Sequence, residues 1–153
     1  MAKTIQVLQS LGGEATPTFF VSLPVKSGTS ASVQPGYPVI ADGSNAGYVK
    51  AAPDNVTSAD LLAGIANGAS TETASADGVV TVEAAPVLVV ALKAKTPGSL
   101  VSTMKFTNKY TIDLTSGNYT LDQGTTTNGI LRLVSFDNTT DGNCVATVAC
   151  NLW

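Results

Sequence analysis

Tyr110-Thr111-Ile112-Asp113-Leu114-Thr115-Ser116-Gly117-Asn118-Tyr119-Thr120-Leu121 alternates apolar and polar side chains on both sides of a Ser-Gly turn. Successive side chains of a strand point to opposite faces, so this spacing describes a β-hairpin with one buried face. The pattern continues on both sides. Leu100, Met104 and Phe106 share one face of a predicted strand over 100–106, with Thr103, Lys105 and Thr107 on the other. Two further strands are predicted over 130–136 and 144–152, joined by the polar loop 137–143.

Upstream, Phe19-Phe20-Val21-Ser22-Leu23 is rich in β-formers and runs up to Pro24. Short strands are predicted over 37–41, 47–50 and 79–83. Val87-Leu88-Val89-Val90-Ala91-Leu92 is a continuous apolar run and predicts a strand buried on both faces. Only 57–68 offers a helix, with Thr57 or Ser58 as cap and Gly68 as stop. The same Leu-Leu-Ala-Gly-Ile-Ala equally fits one turn leading into a buried strand. Many short strands punctuated by turns indicate an all-β chain, a small β-barrel or sandwich with at most one short helix. The aromatics Phe19, Phe20, Tyr37, Tyr48, Tyr110, Tyr119 and Trp153 fall at strand positions and are expected in the core.

The organisation is an extended N-terminal arm, 1–17, followed by a single β domain, 18–153. Ile5, Val7, Leu8 and Leu11 are too apolar for a free tail, while Gly12-Gly13 sets them apart from the body. Such a segment suits strand addition to a neighbour's sheet edge, with backbone hydrogen bonds for affinity and Ile5, Val7 and Gln9 for fit. The alternative is that it completes this chain's own barrel as an edge strand. A free arm can be removed without loss of stability; an edge strand cannot.

Composition excludes more than it identifies. Among 153 residues there are 8 Lys+Arg and 11 Asp+Glu, a net charge of −3, and no histidine. Charged residues are 12% of the chain, and 20 Thr with 13 Ser supply the polarity instead. Without histidine the chain lacks the commonest general base and metal ligand. A weakly acidic chain with scattered lysines lacks the footprint of a nucleic-acid binder. No apolar run approaches the roughly 20 residues needed to cross a bilayer, and the opening residues carry no signal-peptide pattern. No membrane association, secretion, cofactor or metal is therefore expected. Cys144 and Cys150 lie six apart on one strand, about 20 Å by strand rise, too far for a mutual disulfide.

Three motif matches dissolve on inspection. Ser102-Thr103-Met104-Lys105 has the spacing of a penicillin-recognising nucleophile, but that chemistry needs a helix, and the alternation here predicts a strand. Asp137-x-Thr139-x-Asp141-Gly142 opens like a calcium loop, yet Val148 stands where the bidentate glutamate belongs. Asn55, Asn118 and Asn138 begin formal glycosylation sequons of the kind expected by chance in a chain rich in Ser and Thr.

The order of segments resembles the head decoration, or cement, proteins of tailed bacteriophages. The resemblance runs through Pro35-Gly36-Tyr37-Pro38-Val39, Leu62-Ala63-Gly64-Ile65-Ala66 and Asp77-Gly78-Val79-Val80-Thr81-Val82. It continues over 85–95 and ends with 129–136 and Val145-Ala146-Thr147-Val148-Ala149. It implies a non-enzymatic β-rich protein, often a homotrimer, that binds the major capsid protein at the outer surface of the virion after synthesis in the host cytoplasm. The longer Thr-rich loops equally suit a tail or fibre component, and a carbohydrate-binding β-module is a third class. Within the resemblance, Ile5, Val7, Leu8, Gln9 and Leu11 are the expected partner-binding residues.

Overall fold

A computed structural model describes residues 5–10, 18–28, 32–139 and 142–152. Strands take up 47% of them and helix 2%. The eleven strands are β1 (Gln6–Ser10), β2 (Phe19–Val25), β3 (Pro38–Ala41), β4 (Val49–Ala51), β5 (Leu62–Ala66), β6 (Gly78–Ala84), β7 (Val87–Ala94), β8 (Lys109–Thr115), β9 (Asn118–Asp122), β10 (Leu131–Phe136) and β11 (Asn143–Ala149). Among the described residues the helical content is the single 3₁₀ turn Ser102–Met104. No helix among them is long and apolar enough to cross a membrane.

The strands make two closed layers. The first is a barrel in the order β2-β4-β3-β5-β6, in which β2 pairs antiparallel with β6 over seven residues and closes on β4 by a parallel contact. The second is the sheet β1-β7-β11-β10-β8-β9, curled until β7 also pairs in parallel with β9 through Lys93 and Ala94. The 110–121 hairpin forms as its alternation predicts, Ile112 opposite Leu121 and Leu114 opposite Tyr119.

Val25, Val39, Val49, Ala63, Ala66, Val80 and Val82 fill the first barrel. Ile40, Leu62 and Ile65, on the other faces of β3 and β5, join a larger core with Leu88, Val90, Leu92, Ile112, Leu121 and Leu133 of the second layer. β3 and β5 are thus covered on both faces, which is why Leu62–Ala66 carries no alternation and imitates a helix. The chain makes one turn, with Asp60 accepting from the Thr57 N–H at 2.8 Å, and then enters β5. Gly64 permits close packing within the barrel, because a Cβ there would collide with the Glu83 carbonyl. Backbone bonds tie the layers together: Leu152 N–H donates to Leu62 O at 3.1 Å, and Asn55 N–H to Ile112 O at 2.9 Å.

Several expectations are corrected. Residues 100–106 are not a strand; the 3₁₀ turn occupies their centre, and Phe106 takes a left-handed conformation at φ 61. That conformation is held from both sides, Phe106 N–H donating to Leu133 O and Arg132 Nη1 to the Phe106 carbonyl. Pro24 does not end β2 but lies within it, on the exposed side. β7 is less covered on its second face than predicted: Leu88, Val90, Leu92 and Ala94 are buried on one face, whereas on the other Val89 is buried, Val87 and Ala91 are half-buried and Lys93 is exposed.

Candidate interaction surface

The N-terminal segment is laid down as the edge strand of this chain's own sheet. Gln6 pairs with Ala91, Val7 with Val90, Gln9 with Val89 and Ser10 with Leu88, with a bulge between Val7 and Gln9. Ile5 is 1% exposed within the larger core and its N–H donates to Gly36 O at 3.2 Å. Val7 packs half-buried against the same core. Leu8, at the bulge, is 48% exposed. A bulge inserts one unpaired residue and re-aims its side chain, which explains why the apolar residues here follow no clean period. Gln9 contributes its backbone to the pairing, and Leu11 lies outside the described residues. β1 therefore brings Ile5 and Val7 inward while Leu8 faces solvent. At the end of the sheet order its outer edge lies beyond the last pairing, a position from which strand addition is possible.

A second apolar surface was not anticipated. Side chains two apart on a strand share a face, so Phe20, Ser22 and Pro24 of β2 point outward opposite Glu83, Thr81 and Val79 of β6. Phe20 is 58% and Val79 48% exposed. Ser22 and Thr81 join their hydroxyls at 3.2 Å between these apolar ends. The core assignment for the aromatics consequently divides. Tyr110 and Tyr119 are buried, and Tyr37 meets the Tyr119 ring edge-on at 4.9 Å between centroids. Tyr48 is half-buried with its hydroxyl donating to Asp77 at 2.7 Å. Phe20 lies on the face that β2 turns to water, and Phe19, on the opposite face at the first residue of the strand, is 41% exposed; Trp153 lies outside the described residues.

Neither the Ser102–Lys105 motif nor the 137–142 motif brings its side chains together among the described residues. Lys105 meets Ser102 through its backbone N–H, at 3.2 Å from Ser102 O, while its Nζ lies over the Phe136 ring, 5.0 Å from the centroid. In the 137–143 loop Asp137 accepts the Thr139 N–H at 3.1 Å, an Asx turn of the β10–β11 hairpin; Asp141 lies outside the described residues. A cleft of about 800 Å³ opens beside β7, β9, β10 and β11 and reaches Cys144. Burial pushes that thiol up to about 12, and it donates to Leu92 O. A thiol so far above neutral pH stays protonated and is a poor nucleophile. Among the described residues, no three of His, Cys, Asp or Glu come together in a metal-ligating group. No family model, curated protein or solved structure matches the chain.

Proposed function

We propose that this chain is a non-enzymatic head decoration protein of a tailed bacteriophage, seated as a homotrimer on the outer capsid surface and gripping the major capsid protein. The observation that carries the reading is the outward face of β2 and β6, where Phe20, Pro24 and Val79 stand in water beside a single charged residue, Glu83. Grouped exposed apolar side chains mark protein–protein contact more often than chance. The bulged edge strand with exposed Leu8 adds a second place where a partner's backbone fits. The segments of the family resemblance fall on β3, β5, β6, β7, β10 and β11 and on the turns that lead into them, so the likeness follows the frame of both layers. The low charge and Thr/Ser-covered surface suit a protein whose work is contact.

The test is a reconstruction of virions that carry this protein, with the purified chain added to heads that lack it. The expected result is extra density on threefold or quasi-threefold axes of the head, three copies to each. Density confined to the tail assigns the chain to tail or fibre instead. Phe20→Ser and Leu8→Ser are expected to weaken co-sedimentation with heads about tenfold each, the scale of an interface hot spot, without lowering the melting temperature.

A further inference from the structure

In the β8–β9 hairpin Thr111 stands opposite Asp122 and Asp113 opposite Thr120. Residues two apart share a face, so these four side chains form a square, while Ile112 and Leu121 between them point into the larger core. Both carboxylates are buried, Asp113 at 4% and Asp122 at 8% exposure. Lys95, just past β7, reaches over them with a side chain that is 44% exposed. Its Nζ lies 2.6 Å from Asp113 Oδ1 and 3.3 Å from Asp122 Oδ2. Asp113 Oδ2 accepts from the Thr115 hydroxyl at 2.7 Å; Asp122 accepts from Gly124 N–H at 2.9 Å and the Thr125 hydroxyl at 3.1 Å.

Two carboxylates against one ammonium leave a net charge of −1 in a largely dry place. The square also carries an unmet demand. The hydroxyl oxygens of Thr111 and Thr120 are buried with no hydrogen-bond partner, and Thr111 as a whole is 1% exposed. A buried polar atom without a partner points to a bound water or ion. With two anions in the same square, a cation answers both the spare charge and the spare oxygens.

We propose that Asp113, Asp122, Thr111 and Thr120 form a binding site for a hard divalent cation of the calcium class, a place now held by the Lys95 ammonium. The donors are all oxygen, the choice of calcium rather than of zinc or copper. Calcium accepts carboxylates in one- or two-oxygen mode and completes six to eight ligands with water. Lys95 is largely at the surface and swings clear without disturbing the core. With only two carboxylates and a competing ammonium, the affinity belongs to the weak range of about 10⁻⁴–10⁻³ M. This departs from the sequence expectation of no metal, and it is independent of the capsid reading.

The test is calcium titration of the full chain by calorimetry and thermal melting, at constant ionic strength. Wild type is expected to bind at about millimolar calcium. Lys95→Met, which keeps the stem and removes the competitor, is expected to melt lower without calcium, to regain its melting temperature with it, and to bind about tenfold tighter. Adding Asp122→Asn to that variant is expected to abolish the response. If Lys95→Met shows no calcium-dependent heat or shift, or responds equally with Asp122→Asn present, the square holds water and Lys95 is a plain counter-ion. Should Lys95→Met fail to fold, the wild-type titration decides: heat that disappears in Asp113→Asn supports the site, and no heat overturns it.

Discussion

The Tyr119 hydroxyl is buried among apolar side chains and donates to the Ala52 carbonyl, in the β4–β5 connection of the first barrel, so it bonds one layer to the other. Tyr119→Phe keeps the ring and its edge-on contact with Tyr37 but strands that carbonyl. The expected loss is about 1–3 kcal/mol in urea unfolding, the cost of a buried acceptor without a donor. Asp77 shows the opposite regime. It is at the surface, yet the Tyr48 hydroxyl, the Ser27 N–H and the Lys26 ammonium hold its carboxyl well below the ordinary 3.8. A depressed folded-state value adds stability above the unfolded value, and that stability is lost as pH falls through the folded value. The melting temperature should therefore fall as the solution is acidified below about 4, and Asp77→Asn should flatten part of that fall. A melting curve whose pH dependence is the same in both proteins would refute the assignment.

At the level of elements, β1 makes the sharpest prediction. Its alternation is broken by the bulge, so neighbouring apolar residues have different fates. Ile5→Ala should cost about 2–5 kcal/mol, as for a large aliphatic removed from a core. Leu8→Ala, at 48% exposure, should stay within about 0.5 kcal/mol. Equal effects at the two positions would mean that the strand does not dock as described. Removal of residues 2–13 should accordingly lower the melting temperature, since it strips Ile5 from the core and leaves β7 paired along 88–91 on its β11 side alone. The entry to β6 is as exacting. A Cβ at Gly78 would collide with the backbone of Thr71 and Glu72. Gly78→Ala is expected to cost about 3 kcal/mol, the upper part of the usual range for overpacking. Thermal unfolding of the variant is the check.

For the molecule as a whole, the shared core governs behaviour. Ile40, Leu62 and Ile65 leave the first barrel to pack among the side chains of the second layer, and Leu62 also receives the Leu152 N–H. Neither layer can open without exposing the other, so the chain should unfold in one transition, with calorimetric and van't Hoff enthalpies equal. Leu62→Ala should lower that single midpoint by the equivalent of about 2–5 kcal/mol without splitting it. Two separate transitions would show that the layers are thermodynamic domains.

Local alternation was enough to place β8, β9, β10 and β11 from sequence, because each sets an apolar face against the core and carries polar or less covered residues on the other. Period two survives in the side chains even where, as at Thr111 and Asp113, the polar face is buried. It was also enough for the all-β class. It failed where burial came from two sides or where alternation arose by chance. β5 lies between two cores, so its residues are apolar throughout, and only the packing of β3 and β5 against the second layer separates strand from helix. Residues 100–106 alternate, yet the left-handed Phe106 and its bonds to β10 impose a turn that no local pattern signals. The exposed Phe20 looked like core because β-propensity does not tell an inward side chain from an outward one. The Lys95, Asp113, Asp122 and threonine square was invisible for a related reason. Its members are spread over 95–122, and only the hairpin register with the crossing from β7 brings them together. Sequence by itself determined strand, turn and the scarcity of charge, which are short-range properties; which faces are covered, and which distant oxygens meet, depends on contacts between strands far apart in the chain.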